Sequence, residues 1–198
     1  MRLGASAFGM ILDFILIKGL MKNQTQNLTL SSLFIALGIL IPILFHAIGL
    51  GSMLLPMFWP ITVGVFFLTV PYAAAVGVLT PVLSALMTGM PPPPILYKMI
   101  FELVFLGISI SFGYRKTRLG IFWLVLAGML ISRIMALLGS AAIAPLLGLP
   151  PEFYALISLL KGAPGMIVIV VLMPLIVSRL MPDPLFAMRK SHIQNVKP

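Results

Sequence analysis

The sequence predicts an all-α, polytopic membrane protein: a six-transmembrane-helix bundle with both termini cytoplasmic. The strongest observation is that residues 23–97, 75 consecutive positions, contain no Lys, Arg, Asp or Glu. A soluble domain needs charged groups on its exposed faces, and this stretch offers none. Composition agrees, because 61% of the 198 residues are hydrophobic and only 9% are charged. Since roughly 20 apolar residues cross a bilayer as one helix, the uncharged run has room for about three crossings.

Proline, glycine and charged residues divide the apolar sequence into six predicted helices. We place them at residues 28–47, 56–70, 71–88, 95–114, 119–139 and 153–181. Asn27 or Thr29 is the expected cap of the first helix, and Pro164 is expected to kink the sixth. Residues 28–182 form the predicted transmembrane domain, and residues 183–198 a cytoplasmic tail. Residues 1–27 are an extension that either lies on the membrane surface as an amphipathic helix or precedes a true start at Met21.

The distribution of basic residues gives the orientation. In a six-helix scheme most of them fall on one side, namely Lys22, Arg115, Lys116, Arg118, Arg179, Arg189, Lys190 and Lys197. The connections on the opposite side, at 48–55, 88–94 and 140–151, contain no Lys or Arg. Because the basic side of a membrane protein faces the cytoplasm, both termini are predicted to be inside.

Glu102 is the most informative side chain, because a carboxylate inside a spanning helix is costly and needs a partner or a cavity. It lies one turn after Lys98 on the fourth predicted helix. Arg133, in the middle of the fifth, is the expected second partner. Two interpretations stay open: the Glu102–Arg133 pair only holds the bundle together, or one or both side chains project into a ligand cavity.

A polar stripe and a proline run form a second candidate region. Thr80, Ser84 and Thr88 recur at intervals of four residues on the third predicted helix, where they either bond the helix backbone or line a cavity. The stripe leads into Pro91, Pro92, Pro93 and Pro94. These are expected to form a stiff polyproline segment of roughly 12 Å, which either covers an external pocket or only stops the helix. Lys161, near the external end of the sixth helix, either snorkels or reaches an anionic ligand group.

Several chemistries have no sequence support. The chain contains no H-E-x-x-H, no G-x-S-x-G and no Walker-type glycine loop, and it has no cysteine. His46 and His192 fall on opposite sides of the predicted bundle, so they cannot share a metal. We therefore predict that the protein is not an enzyme and holds no metal or cofactor of its own.

The order of several short motifs resembles a known family. The motifs are Gly49-x-Gly-Ser-Met-Leu-Leu-Pro-Met57 with Pro60, Gly77-x-x-x-Pro81, Thr88-Gly-Met-Pro91, the intramembrane Glu102 and Arg133, and a late Gly-x-Pro-Gly. Together they resemble the substrate-binding membrane subunits (S components) of energy-coupling-factor (ECF) vitamin transporters. The resemblance covers about residues 28–180.

The resemblance implies a function and a set of partners. Such subunits bind a vitamin or related micronutrient from outside the prokaryotic cell membrane and dock onto a transmembrane scaffold that carries two ATPases, so ATP is used by partner subunits. Their first helix carries a small-residue scaffold contact, which maps onto Ser32 and Ala36. Their external loops gate the pocket, which maps onto Gly49, Gly51, Ser52 and the prolines 91–94. Where relatives often read Pro-Met-His-Ile-Pro, this chain has Pro56-Met-Phe-Trp-Pro60, which implies an apolar or stacking contact.

The leading hypothesis is therefore a vitamin-uptake S component. Its polar ligand contacts are predicted at Glu102, Arg133, Thr80, Ser84 and Lys161, and its apolar walls at Met57, Phe58 and Trp59. A neutral or weakly anionic ligand is favoured, because the predicted cavity holds at least as many cations as anions. The alternatives are a stand-alone proton-coupled permease that uses Glu102 and, with less support, a purely structural subunit.

Overall fold

The protein is an all-helical bundle with five helices long and apolar enough to cross a membrane among the residues that the structure describes. The computed structural model describes residues 3–47, 49, 51–148 and 162–180. Within these residues the helices are α1 (Leu3–Ala47), α2 (Gly51–Leu54), α3 (Phe58–Gly64), α4 (Val70–Thr88), α5 (Pro93–Lys116), α6 (Ile121–Leu147) and α7 (Ala163–Leu180). The five candidate spans are Gln24–Ala47, Val70–Thr88, Ile95–Lys116, Ile121–Gly139 and Ala163–Leu180. These features are those of a multi-pass membrane protein.

The first helix begins before its predicted start. α1 is continuous from Leu3 to Ala47, so neither Asn27 nor Thr29 caps it, and the predicted boundary at residue 28 is not a helix boundary. Asn27 instead caps a different helix: its Oδ1 accepts a hydrogen bond of 3.0 Å from the backbone N–H of Thr69, the residue before α4. The predicted cap of the first helix is therefore wrong, and Asn27 bonds a residue 42 positions later in the chain.

The second predicted crossing is not one continuous helix. Residues 51–69 form two short helices, α2 and α3, and the chain turns between them at Leu55, whose φ is 49°. The seven residues of α3 extend over only about 10 Å, too little to cross a membrane. Pro56 and Pro60 lack the backbone N–H that a regular helix would need here, which favours this break.

The broken segment nevertheless runs alongside the part of α1 between His46 and Asn27. At its start, Gly51 packs so closely on the ring of His46 that an added Cβ would lie 2.5 Å from Nδ1. At its end, Thr69 is hydrogen bonded to Asn27. Asn27 and His46 are 19 residues apart on α1, which corresponds to about 28 Å. Irregular backbone at this depth is tolerated because protein surrounds it, and Phe58, Ile61 and Thr62 are buried.

Helices α4 and α5 approach each other through small residues. A Cβ added to Gly77 would lie 2.8 Å from the backbone of Leu103, and one added to Gly107 would lie 2.8 Å from the carbonyl oxygen of Ala73. The Ala73-x-x-x-Gly77 spacing therefore marks a real helix contact. The buried core continues from this contact through Leu106, Ile110, Val125, Met129, Ile169 and Met173.

Two further boundaries differ from the prediction: α5 begins before residue 95, and α6 continues past residue 139 to Leu147. α5 begins at Pro93 rather than at residue 95, so Pro93 and Pro94 belong to a helix and the predicted polyproline segment from 91 to 94 is wrong in its second half. Proline is favoured at the first helical positions, because its fixed φ suits the helix and its missing N–H is not needed there. Residues 149–161, which contain the predicted start of the sixth helix, lie outside the described residues, and α7 begins at Ala163.

Candidate functional site

Three charged side chains meet between α5 and α6. Nη1 of Arg133 lies 2.8 Å from Oε1 of Glu102, and Nζ of Lys98 lies 3.7 Å from the same oxygen. Glu102 is only 3% exposed and Arg133 only 7%. Glu102 lies nine residues into α5, about 14 Å along a helix of about 36 Å, so the cluster is well inside the bundle. The predicted pair is therefore present, and Lys98 joins it from the preceding turn of α5.

The guanidinium of Arg133 is surrounded by groups from three other segments. Its Nε donates a hydrogen bond of 3.3 Å to Sδ of Met166 on α7. Its Cζ lies 5.8 Å from the centre of the Phe58 ring, a cation–π distance. Gly162 lies against Nη2, since a Cβ added there would be 2.8 Å from that nitrogen. A side chain at 162 would therefore displace the end of the Arg133 side chain.

One nitrogen of this guanidinium is left without a hydrogen bond. Nη2 of Arg133 is buried and has no hydrogen-bond acceptor among the described residues, whereas Nη1 is bonded to Glu102 and Nε to Met166. A buried donor without an acceptor is costly, and more so when it carries charge. The cluster of Lys98, Glu102 and Arg133 also has a formal charge of +1. A hydrogen-bond acceptor at this nitrogen would remove that cost.

The polar stripe on α4 mostly bonds backbone groups. Oγ1 of Thr80 donates to the carbonyl of Val76 at 2.7 Å, and Oγ1 of Thr88 donates to that of Ser84 at 2.7 Å. Ser84 donates to the carbonyl of Met90 at 2.9 Å and so ties α4 to the connection before α5. Of the two interpretations of the stripe, the backbone one describes the hydrogen bonds observed.

The side chain of Thr80 packs against α1, not against the charged cluster. Its Cγ2 lies 2.5 Å from the position that a Cβ on Gly38 of α1 would take. Thr80 is therefore part of the contact between α1 and α4. The described contacts do not bring Thr80 or Ser84 to Glu102 or Arg133.

The predicted apolar wall divides into two faces. Met57 and Phe58 are buried, and Phe58 lies beside Arg133. Trp59 points elsewhere: its Nε1 donates to the carbonyl of Leu54 at 2.9 Å, and its ring lies 5.8 Å from that of Phe45 on α1. Because Phe58 and Trp59 are consecutive on α3, they cannot share one face of that helix.

The predicted gating residues lie at the end of the bundle where α1 ends and α5 begins. Gly49 has a φ of 76°, a left-handed conformation that suits glycine in the connection between α1 and α2. Gly51 and Ser52 begin α2, Pro91 and Pro92 precede α5, and Pro93 and Pro94 open it. Lys161 lies outside the described residues.

The predicted scaffold-contact residues lie on an open face of α1. Ser32 and Ala36 are both exposed, and Oγ of Ser32 donates to the carbonyl of Leu28, so it satisfies its own hydroxyl within the helix. Leu33 and Leu40 on the same helix are also about half exposed. An apolar face of this kind suits contact with lipid or with another membrane helix.

An apolar groove lies on another side of the bundle. It has a volume of about 410 Å³ between α1, α3 and α7, and its lining includes Phe34, Trp59, Phe67 and Met173. None of the charged cluster lines it. A polar ligand would find no hydrogen-bonding side chain among its described lining residues except the indole of Trp59, which already donates to Leu54.

Sequence reasoning missed two contributors to the site. Met166 gives Arg133 a sulfur acceptor, and Leu55 packs near Gly162, with Cδ1 3.5 Å from an added Cβ. Nothing in the sequence distinguishes Met166 from the other 13 methionines. Gly162 belongs to the predicted helix kink, but in the structure it provides the space that Arg133 occupies.

Neither a metal-binding arrangement nor a comparison with known proteins assigns a chemistry to this site. Among the described residues, no group of three or more His, Cys, Asp or Glu could hold a metal ion. No family model, curated protein or solved structure matches the chain. The chemistry of the site follows from the three charges and from the aromatic and sulfur groups around Arg133.

Proposed function

We propose that this protein is a substrate-binding membrane subunit of an ECF-type importer, which captures a vitamin or related micronutrient outside the cell. The single observation that supports this most is the buried cluster of Lys98, Glu102 and Arg133. Ionisable side chains inside a membrane protein are rare, and they commonly mark the path or the site of a polar solute.

A purely structural role explains the cluster less well. Two paired charges would be enough to hold α5 against α6, but this site has a third charge and a buried guanidinium nitrogen without an acceptor among the described residues. The buried nitrogen without an acceptor costs stability. A ligand that contributes an acceptor would offset that cost, whereas a structural pair would not require it.

The proposed topology has six crossings, with the segment at 51–69 as a broken second crossing. Three contacts support it. Thr69 is bonded to Asn27, Arg115 donates to the carbonyl of Leu68, and Gly51 lies against His46 at the other end of α1. Because Asn27 and Arg115 contact the adjacent residues Thr69 and Leu68, the basic turn between α5 and α6 lies on the same side of the bundle as Asn27. By the distribution of basic residues, that end and both termini are cytoplasmic.

The ligand would then enter from the end that carries Gly49 and the prolines 91–94. Arg133 lies toward this end, since Leu55 and Gly162 flank it there. The exposed face of α1 at Ser32 and Ala36 is the proposed contact with a transmembrane scaffold, and two ATPase subunits bound to that scaffold would supply the energy. The protein would lie in a prokaryotic cell membrane.

A ligand screen tests the proposal directly. Purified, detergent-solubilised protein is heated with each member of a panel of water-soluble vitamins and their precursors, and the unfolding temperature is recorded. A ligand at 100 times its dissociation constant stabilises the folded state by about 2.7 kcal/mol, enough for a clear shift. We expect one strong ligand, and we expect its effect to vanish in the Glu102→Gln/Arg133→Gln variant.

Two results would contradict the proposal. Folded protein that responds to no compound would argue against a binding subunit. Uptake into vesicles without ATPase partners, with a pH dependence that Glu102→Gln abolishes, would indicate the proton-coupled permease instead.

A further inference from the structure

The apolar groove between α1, α3 and α7 has the length of one membrane leaflet. On α1 its lining runs from Leu30 to Ile41, and these residues, 11 positions apart, are separated by about 16 Å. The hydrocarbon core of a bilayer is about 30 Å thick, so one leaflet contributes about 15 Å. Leu30 lies three residues after Asn27, near the cytoplasmic end of the bundle in the proposed topology. With that topology, the groove lies along the cytoplasmic leaflet.

The groove is too narrow for a helix. Its volume of about 410 Å³, spread over that length, gives a cross-section of about 25 Å². A helix with its side chains is about 10 Å across and would need roughly three times that area. Leu37, Val63 and Ile176 in its walls are partly exposed, so the groove opens toward the lipid. Its width suits one extended hydrocarbon chain.

The chemistry of the lining also suits a hydrocarbon chain. The described lining side chains are aliphatic or aromatic, apart from the thioether of Met173. The indole N–H of Trp59 already donates to the carbonyl of Leu54. A polar solute would lose its hydrogen bonds to water here without gaining others, which is costly, whereas an acyl chain has none to lose.

A basic residue lies beside the cytoplasmic end of the groove. Leu180 is the last lining residue of α7, and Arg179 precedes it. Arg179 also follows Ile176, another lining residue, by three positions, so the two are neighbours on the helix surface. The side chain of Arg179 is exposed. Exposed basic side chains at the cytoplasmic surface attract anionic lipid head groups.

We infer that this groove is a lipid-binding site, which holds one acyl chain of an anionic phospholipid from the cytoplasmic leaflet with its head group at Arg179. The inference goes beyond the proposed function, since the micronutrient ligand takes no part in it. Trp59 then meets the far end of the chain, because its ring lies 5.8 Å from that of Phe45, near the His46 end of α1.

The fluorescence of Trp59 provides the test. The chain has two tryptophans, so Trp123→Phe leaves Trp59 as the reporter. This full-length variant is reconstituted into phosphatidylcholine vesicles that contain a minor fraction of either phosphatidylglycerol or phosphatidylcholine brominated near the ends of its acyl chains, because bromine quenches tryptophan on contact. We expect the brominated phosphatidylglycerol to reach half-maximal quenching at an about fivefold lower mole fraction, the usual effect of one basic residue at an anionic membrane surface.

A reporter outside the groove gives the response to bulk lipid. Leu79, on α4, is 44% exposed and does not line the groove. Leu79→Trp, placed in a chain with Trp59→Phe and Trp123→Phe, should be quenched equally by the two brominated lipids.

Two variants of the Trp59 reporter separate the head group from the chain. Arg179→Gln changes an exposed residue, so the fold should persist, and we expect the preference for phosphatidylglycerol to disappear. Arg118→Gln removes an exposed basic residue that follows α5 and should keep the preference. Val63→Phe fills the groove and should reduce quenching by the anionic lipid to the level of the other, whereas Val171→Phe, on an exposed part of α7, should not.

Several outcomes would overturn the inference. Equal quenching of Trp59 by the two lipids, or a preference that survives in Arg179→Gln, would show that no anionic lipid is held at this end. Loss of the preference in Arg118→Gln as well would assign it to the basic surface as a whole. Absence of quenching by either lipid would show that another part of the chain or a second copy covers the groove. None of these results bears on the proposed function, because micronutrient binding is measured separately.

Discussion

Glu102 accepts from Arg133 at 2.8 Å and also lies 3.7 Å from Lys98, so one buried carboxylate faces two cations. Arg133 comes from α6 and Lys98 from the preceding turn of α5. The two partners are not equivalent, because removing Arg133 would leave a one-to-one pair whereas removing Glu102 would leave two cations.

This asymmetry predicts unequal costs for two isosteric variants. Glu102→Gln should lower the free energy of unfolding by about 3–5 kcal/mol, the cost of leaving a buried charge without its partner. Arg133→Gln should cost less, since Lys98 still neutralises Glu102. Reversible unfolding in mixed detergent micelles measures both values, and Lys116→Gln should stay within about 0.5 kcal/mol of the unaltered protein. If Arg133→Gln cost more than Glu102→Gln, Lys98 would not be neutralising Glu102.

The charge cluster was predictable because intramembrane charges are few and the spacing of Lys98 and Glu102 is that of one helical turn. Arg133 was the remaining central cation, so pairing it with Glu102 required no knowledge of the fold. The broken segment at 51–69 was not predictable in the same way. Its length and apolar character match a spanning helix, and only the packing of Phe58 and Ile61 shows why a short helix with a turn is stable there.

Trp59 illustrates a second limit of the sequence. It is adjacent to Phe58, and the sequence predicts one apolar wall from both. Because α3 is helical, consecutive side chains point about 100° apart, and Trp59 faces α1 while Phe58 faces Arg133. In an extended backbone the two side chains would point to opposite faces instead. The sequence does not show which of these backbone conformations the segment adopts.

The contact between α4 and α5 should not tolerate a methyl group at Gly77. Gly77→Ala places a Cβ 2.8 Å from the backbone of Leu103, and backbone cannot move aside as a flexible side chain can. We expect a loss of about 1–3 kcal/mol, typical of overpacking. Ala75→Val adds more volume on an exposed face of the same helix and is the control. Similar unfolding free energies for both variants would contradict the close approach of the two helices.

The carbonyl of Leu68 is predicted to couple two side chains of α5. Ser111 and Arg115 both donate to it at 2.9 Å, so either one satisfies it alone. Each single variant, Ser111→Ala or Arg115→Gln, should cost about 0.5–1.5 kcal/mol. The double variant should cost more than the sum, because the carbonyl then loses both donors. A double-mutant cycle measures the difference, and strict additivity would show that the two bonds are independent.

Asn27 is predicted to stabilise α4 rather than its own helix. Asn27→Ala removes the acceptor of the Thr69 N–H and should cost about 1 kcal/mol, the usual value for an N-terminal cap. Asn27→Asp keeps an acceptor and adds a negative charge near the N-terminus of α4, so it should cost less or stabilise. Unfolding free energies of the two variants, with the exposed Gln24→Ala as control, test the order. Equal losses in Ala and Asp variants would refute the capping role.

The absence of cysteine from the sequence makes the proposed topology directly measurable. Single cysteines replace Met90 and Leu119, two exposed apolar residues in the connections at either end of α5. Intact cells are treated with a membrane-impermeant maleimide before and after permeabilisation. We expect Met90→Cys to react in intact cells and Leu119→Cys only after permeabilisation, because Leu119 follows the basic turn.

A second pair decides whether the broken segment crosses the membrane. Ala47 and Pro71 are exposed residues on either side of it, at opposite ends of the bundle. If residues 51–69 pass through the full thickness, Ala47→Cys should be labelled from outside and Pro71→Cys from inside. If both residues were labelled from the same side, the segment at 51–69 would not cross the membrane. An odd number of crossings would then follow, and one terminus would have to lie outside.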